Sequence, residues 1–255
     1  MVYELINTEK VSPLFENWDE TLIWSCLQGF MGKIYVIDLY HPTSAMAILG
    51  DFAFFAGDPC IELISYKPDW CMQDFIIMVP GNEEWQNTIV RYYGSKAKIV
   101  SRYATKKEPN IFNKEKLIKA ASSLSDDYRL YMINEPLYNM CKSEKWSLSL
   151  VSQFRDYDEY QRLGLGVVIL KNNIIVSGAS SYSRYQNGIE IQVDTREEYR
   201  RKGLAYVCGA RLILECQKRN LYPSWDAQNK WSAALSEKLG YHYSHTYSAV
   251  EIQGY

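Results

Sequence analysis

Between Tyr199 and Ala205 the chain reads Tyr-Arg-Arg-Lys-Gly-Leu-Ala, three cations and a glycine directly ahead of an amphipathic run. A strand that feeds a helix through a tight, glycine-containing turn aims several backbone N–H groups at one point. With the helix dipole, those donors make a site for a diphosphate. Gly203 allows close backbone approach, Ala205 keeps the first helical turn narrow, and Arg200, Arg201 and Lys202 add positive charge at the mouth. Neither G-x-x-x-x-G-K-[ST] nor G-x-G-x-x-G is present, which argues against nucleoside triphosphates and dinucleotides.

The elements that must hold this turn are legible on both sides. Upstream, Leu165–Leu170 and Ile174–Tyr182 read as strands about the tight turn Lys171-Asn172-Asn173. Ile189–Asp194 follows as a third strand with strict alternation. Ile189, Ile191 and Val193 point one way, and Glu190, Gln192 and Asp194 the other. Downstream, Leu204–Arg219 reads as a helix, Tyr222–Ala227 as a strand, Trp231–Leu239 as a helix closed by Gly240, and Tyr241–Ile252 as a last strand. Asn229 is placed to cap the second of these helices. The order predicts an α/β (α+β) layer, mostly antiparallel, with a crossover helix.

The first 130 residues predict a second α/β unit. Ala45–Leu49 and Phe52–Ala56 flank Gly50-Asp51 as a hairpin, and Ile61–Tyr66 reads as a further strand. Phe75–Pro80 is a strand stopped by Pro80-Gly81. Asn82 then caps a helix that carries Trp85 and Ile89 and ends at Gly94, and Ala97–Tyr103 returns as a strand. That order repeats the one at Tyr222–Tyr243. The expected division is therefore 1–130, an N-terminal unit walling the acceptor side, and 131–255, the unit that carries the cationic turn.

The chain has 255 residues with a net charge of −2, 47% hydrophobic and 23% charged, which excludes a disordered tail or a small disulfide scaffold. That balance gives no reason to expect nucleic acid or an anionic membrane as partner. The six cysteines form no C-x-x-C pair and the three histidines do not fall at ligand spacing, so no metal site is expected. Cys208 and Cys216 read as core residues of one helix. Met1–Glu20 lacks the pattern of a signal peptide and Ala45–Gly57 is too short to span a bilayer; the expected location is cytoplasmic.

The cationic turn resembles the acyl-coenzyme A pyrophosphate loop of the GNAT superfamily of N-acyltransferases, [QR]-x-x-G-x-[GA]. Arg200, Gly203 and Ala205 fill its three fixed positions. The downstream runs Trp225-Asp226-Ala227-Gln228-Asn229 and Glu237-Lys238-Leu239-Gly240-Tyr241 resemble the superfamily's fifth-strand and following-helix segments. The Pro223-Ser224-Trp225-Asp226 run is similar to the subgroup that includes zwittermicin-resistance-type acetyltransferases. The resemblance covers Gly164 to about Ile252 and implies a sheet splayed into a V between two parallel central strands. The N-terminal unit would be either a degenerate, cofactor-free version of the same half or an unrelated α/β cap.

The same resemblance implies an acetyl-coenzyme A-dependent N-acetyltransferase acting by direct attack of a small-molecule primary amine, with no metal. Gln192, Val193 and Asp194 would pair with the pantetheine arm, and Arg200, Arg201, Lys202, Gly203, Leu204 and Ala205 would hold the diphosphate, helped by Asn229 and Ser232. Glu190 is the candidate to take the amine's proton, its plainer reading being a solvated strand face. Where many members carry a tyrosine general acid this chain has Ser236, so Tyr241, Tyr243 or water would substitute, or the thiolate leaves unassisted. A non-catalytic acyl-coenzyme A sensor, or an enzyme acetylating protein or peptide amines, is the competing reading, and pairing into a homodimer is left open.

Overall fold

The structure is a computed structural model that describes residues 1–255. In chain order its strands and α-helices are β1 (Tyr3–Glu4), α1 (Thr21–Leu27), β2 (Lys33–Val36), β3 (Ser44–Leu49), β4 (Phe52–Gly57), α2 (Ile61–Ile64), β5 (Phe75–Pro80), α3 (Glu83–Tyr93) and β6 (Ala97–Thr105). There follow α4 (Lys114–Ala121), β7 (Arg129–Met132), α5 (Glu135–Ser143), α6 (Tyr157–Leu163), β8 (Gly166–Lys171), β9 (Ile174–Tyr185) and β10 (Gly188–Thr195). The chain ends with α7 (Leu204–Lys218), β11 (Tyr222–Ser224), β12 (Asp226–Ala227), α8 (Lys230–Leu239) and β13 (Tyr243–Gln253). These elements form two units, Met1–Arg102 with Thr246–Tyr255, and Tyr103–His245.

In the first unit β2, β3 and β4 form an antiparallel meander, and β5 runs parallel to β4. The alternating β3–β4 hairpin buries Met46, Ile48, Ala53 and Phe55 on one face, against Trp85 and Ile89 of α3. Asn82 caps α3 by accepting the Trp85 amide at 2.9 Å, while Glu83 and Glu84 sit at the positive end of the dipole. Ile61–Tyr66 is not a strand. Leu63 and Ile64 bury side by side while Ile61 and Glu62 face water, a pattern that suits the short helix α2 and not an alternating strand. The outer partner of β5 is β13, antiparallel, with Val250 opposite Met78 and Ile252 opposite Ile76.

In the second unit the strand order is β11-β10-β9-β8-β7, antiparallel throughout except for β10 and β11, which run parallel. The β8–β9 hairpin turns through Asn172 and Asn173, both in the left-handed region that a primed turn requires. Helix α7 packs against β8, β9 and β10 through Leu204, Val207, Cys208 and Leu212. Residues 103–130 belong to this unit and not to the first, because Phe112, Leu117 and Ala120 bury in the same core and α4 lies along α7. β12 takes Tyr103 and Ala104 of β6 as its antiparallel neighbours.

The two units follow one plan: three antiparallel strands, a helical connection, a strand parallel to the third, a helix, and a final strand. Register makes the match residue by residue. Phe52 lies opposite Ile77, and Glu190 opposite Ser224. Asn82 follows Ile77, and Asn229 follows Ser224, by the same five residues. Asn229 caps α8 as Asn82 caps α3, accepting the Ser232 amide at 2.9 Å. The two units therefore differ in what fills a shared frame.

Candidate active site

The largest difference lies where β10 leaves β11. Parallel pairing covers Gly188, Ile189 and Glu190 and then stops, although β10 continues to Thr195. Beyond this point the other strand resumes as β12, paired elsewhere. The sheet thus opens into a V whose apex is at Glu190 and Ser224. From Ile191 onward no strand pairs with β10 on that side, so its edge offers backbone donors and acceptors to an extended ligand. In the first unit the corresponding pairing does not stop. Ala53, Phe54 and Phe55 stay opposite Met78, Val79 and Pro80.

At the open end of β10 the chain makes the cationic turn. A 3-10 turn at Glu197–Tyr199 leads to Arg200 in extended conformation, Arg201 at φ +62° and Gly203 at φ +78°. Left-handed residues here turn successive N–H groups toward one side. Gly203 is the N-cap of α7, with no side chain closing the helix end and no acid in its first turn. A Cβ built on Gly203 would meet nothing within 4 Å, so the space ahead of these donors is open. Arg200, Arg201 and Lys202 are all exposed. Arg200 Nε donates to Thr195 O at 3.3 Å, and Lys202 lies 4.8 Å over the Tyr199 ring. Leu204 is buried, so it offers its backbone and not its side chain, while Ala205 is half-buried. The uncapped N-terminus, the open space and the cations fit a diphosphate.

Along β10 the alternation is as expected. Ile189 and Ile191 enter the core with α7, and Val193 packs on it. Glu190, Gln192 and Asp194 face the other way, and burial pushes the Asp194 carboxyl above its ordinary range against the pull of the Thr195 amide and Arg200. Glu190 is not on a solvated face. It is 7% exposed, and its Oε1 accepts the Asp226 amide at 2.7 Å. That bond crosses the apex of the V and holds the carboxylate in place.

Ser236, which stands in the place of the usual tyrosine acid, and Tyr241, one of the groups offered to substitute for it, are both committed elsewhere. Ser236 is fully buried and donates to Ala233 O in its own helix at 2.8 Å. Tyr241 is buried, donates to Pro223 O at 2.6 Å, and burial holds its proton well above the ordinary phenol range. Asn229 spends its side-chain oxygen on the cap of α8, and Ser232 Oγ accepts the Trp225 indole N–H at 3.1 Å. The structure thus gathers the β10 residues and the cationic turn around one V, and places Ser236 and Tyr241 in the packing beside it.

One residue of this region is not singled out by the sequence. Ser183, on β9 directly opposite Glu190, is fully buried and its Oγ has no hydrogen-bond partner. The signal for it was a run of serines, Ser177, Ser180, Ser181 and Ser183, on a strand otherwise built for burial. The other three are bonded: Ser177 to Thr195 Oγ1, Ser180 to the Tyr160 hydroxyl, and Ser181 to the Leu165 amide.

A sheet splayed at its parallel pair, with an open helix N-terminus at the mouth, defines an acyltransferase architecture. The chain matches the GNAT acetyltransferase family over residues 12–250 and belongs to it; it is an N-acetyltransferase of that family. It is similar to the uncharacterized N-acetyltransferase YdfB of Bacillus subtilis, 26% identical over 254 residues that cover 94% of this chain and 95% of the relative. A GCN5-related N-acetyltransferase-like protein from Streptococcus suis has a solved structure with 43% identity and a TM-score of 0.90, covering 97% of this chain and 98% of that one. A tandem GNAT protein from the clavulanic acid biosynthesis pathway shares the fold at 8% identity and a TM-score of 0.55, over 100% of this chain and 99% of its own. No group of side chains is arranged to hold a metal ion, and no helix is long and apolar enough to cross a membrane.

Proposed function

We propose that the protein moves an acetyl group from acetyl-coenzyme A to a primary amine of a small molecule by direct attack. The observation that carries this reading is the uncapped N-terminus of α7 standing at the open end of the V. Arg200, Arg201, Lys202 and the N–H groups from Gly203 to Ala205 would take the donor's diphosphate. The unpaired edge of β10 from Gln192 to Asp194 would pair with the amides of its pantetheine arm. A backbone N–H at the same edge would polarise the thioester carbonyl.

An alkylamine is protonated at neutral pH and must lose a proton to attack. Glu190, fixed at the apex by the Asp226 amide, is the group to accept that proton, directly or through water. The amine nitrogen then bonds to the carbonyl carbon, the carbon–sulfur bond breaks, the sulfur leaves as a thiolate, and the excess proton left on the nitrogen passes to that thiolate or to water. A thiol of pKa about 8.5 leaves without an acid, consistent with the commitment of Ser236 and Tyr241 to packing. Six free, buried cysteines support a reducing, cytoplasmic setting.

The test is thiol release from acetyl-coenzyme A against a panel of small amines, with Glu190→Gln alongside. The amide can still accept the Asp226 N–H, so the V should persist and donor binding should be unchanged. Turnover should fall about 100-fold or more. Full activity in Glu190→Gln would remove Glu190 from the chemistry and leave it as a clasp of the apex.

A further inference from the structure

The two units act as each other's control at the apex of the V. In the first unit the antiparallel pair at this position is Leu49 opposite Phe52, both buried and apolar. In the second, the same frame positions carry Ser183 opposite Glu190. A residue two places along shows the same exchange, Phe54 in the first unit against Gln192 in the second. Where the sheet is zipped shut, the face is packed with rings; Phe52 stacks on Phe54, which meets Trp18 edge-on. Where it splays open, that face is polar.

Ser183 is the odd member of this polar face, because its hydroxyl is shut off from bulk water without a partner. Native structures rarely leave such a group unpaired, and replacing it by an apolar residue would be neutral or stabilising. The first unit has leucine there. Directly opposed residues on antiparallel strands bring their Cβ atoms to about 5 Å, so the Cβ of Ser183 stands next to that of Glu190, while the carboxylate itself reaches across to the Asp226 amide. A group that approaches Glu190 with its amine is within reach of Ser183 with a neighbouring substituent.

We infer that Ser183 is a specificity-determining contact for the acceptor: its hydroxyl pairs with a hydrogen-bonding substituent, a hydroxyl above all, carried next to the reacting amine. The substrate class is thus amines with an adjacent hydroxyl in preference to plain alkylamines. This rests on the acetyl transfer proposed above, with Glu190 as the group facing the amine. A site built to bond a hydroxyl rejects an isostere that lacks it, because the protein's own polar group is then left unpaired.

The experiment compares ethanolamine with propylamine, which are nearly isosteric and differ in one hydroxyl. Both are assayed with acetyl-coenzyme A on the wild type and on Ser183→Ala, and the ligand-free proteins are melted in parallel. The wild type should favour ethanolamine by about tenfold or more in kcat/KM. Ser183→Ala should erase that preference through the KM of ethanolamine, keep the thermal shift given by acetyl-coenzyme A, and melt no lower than the wild type. Equal kcat/KM for the two amines on the wild type would overturn the inference, as would a preference that survives Ser183→Ala. Turnover of neither amine would do so too. So would a melting point lowered by about 3 °C or more, the mark of a hydroxyl with a structural bond. Absence of any thermal shift with acetyl-coenzyme A would instead remove the acetyl transfer beneath it.

Discussion

The first unit shows what the second would be if its sheet stayed closed. β4 and β5 remain paired to Phe55 and Pro80, and the end of β4 is then locked by Trp85, whose indole N–H donates to Gly57 O at 2.9 Å. Trp85 is fully buried, three residues after its N-cap. The residue at that place in the second unit is Ser232, three after Asn229 and half-buried. The connecting helix differs in the same sense. Between β4 and β5 it is the four-residue α2, too short to gather a useful dipole; between β10 and β11 it is the fifteen-residue α7. An opened sheet, a small residue in the place of the locking tryptophan and a long helix with a bare N-terminus occur together in one unit and are missing together in the other.

Two glycines with the same φ of +78° give the sharpest way to break this comparison. A Cβ on Gly57 would sit 1.9 Å from Thr43 O, whereas one on Gly203 would meet nothing. Gly57→Ala should therefore unfold the first unit or cost it several degrees of melting temperature. Gly203→Ala, strained by its φ but free of any clash, should leave a folded protein whose thermal shift with acetyl-coenzyme A is lost, and a retained near-native melting point without ligand shows that the fold persists. A retained shift in Gly203→Ala would refute the assignment of the turn.

Exchanging Ser232 and Trp85 comes next. Ser232→Trp should block the V and abolish donor binding with the fold retained, as read by circular dichroism and calorimetric titration. Trp85→Ser should lose about 3–5 kcal/mol of stability as a large buried ring is removed, without creating a second site; one donor per chain should still bind. Two bound donors in Trp85→Ser would show that the first unit is closed by that indole alone.

A smaller effect should follow from Glu215 near the end of α7, an element with no long counterpart in the first unit. Burial by itself would raise its carboxyl. Hydrogen bonds from Lys218 and Arg219 and the charge of Arg211 outweigh it and hold the group down at about 2. Its folded value lies below its unfolded one, so its contribution is complete above about pH 4.5 and is lost as the pH falls toward 2. Urea midpoints measured across that range should fall less steeply in Glu215→Gln than in the wild type. The least effect is expected from thiol reagents. Burial pushes Cys26, Cys141, Cys208 and Cys216 up to about 12, and they should stay unmodified in the native protein in both units.

What could be read from the sequence was what repeats along the chain. The alternation of Ile189–Asp194, the cationic turn and the two capping asparagines are local signals, and each stands in the structure where its spacing puts it. Ile61–Tyr66 was misread because a short apolar run has no period of its own, and only the burial of Leu63 beside Ile64 makes it helical. Glu190 could be placed on its face but not inside it, since the Asp226 amide that holds it comes from a distant strand. Tyr241 looks available in the sequence because a sequence does not show where a hydroxyl's proton is already spent. Ser183 was hidden for a related reason. A hydroxyl without a partner is a property of the assembled sheet, and nothing in the residue itself announces it.

The origin of the flanking strands has a bearing on how the chain comes to be folded. The residues paired with β5 on its outer side, Val250–Gln253, come from far along the chain, and those paired with β12 are Tyr103 and Ala104. During synthesis the first 102 residues leave the ribosome with one side of β5 unpaired, a buried apolar strand awaiting its neighbour. That neighbour is made only after the whole of the second unit. The unit that comes first in sequence is thus completed only after the second, and a stop codon a few residues before Thr246 would strike it far from where most of it is encoded.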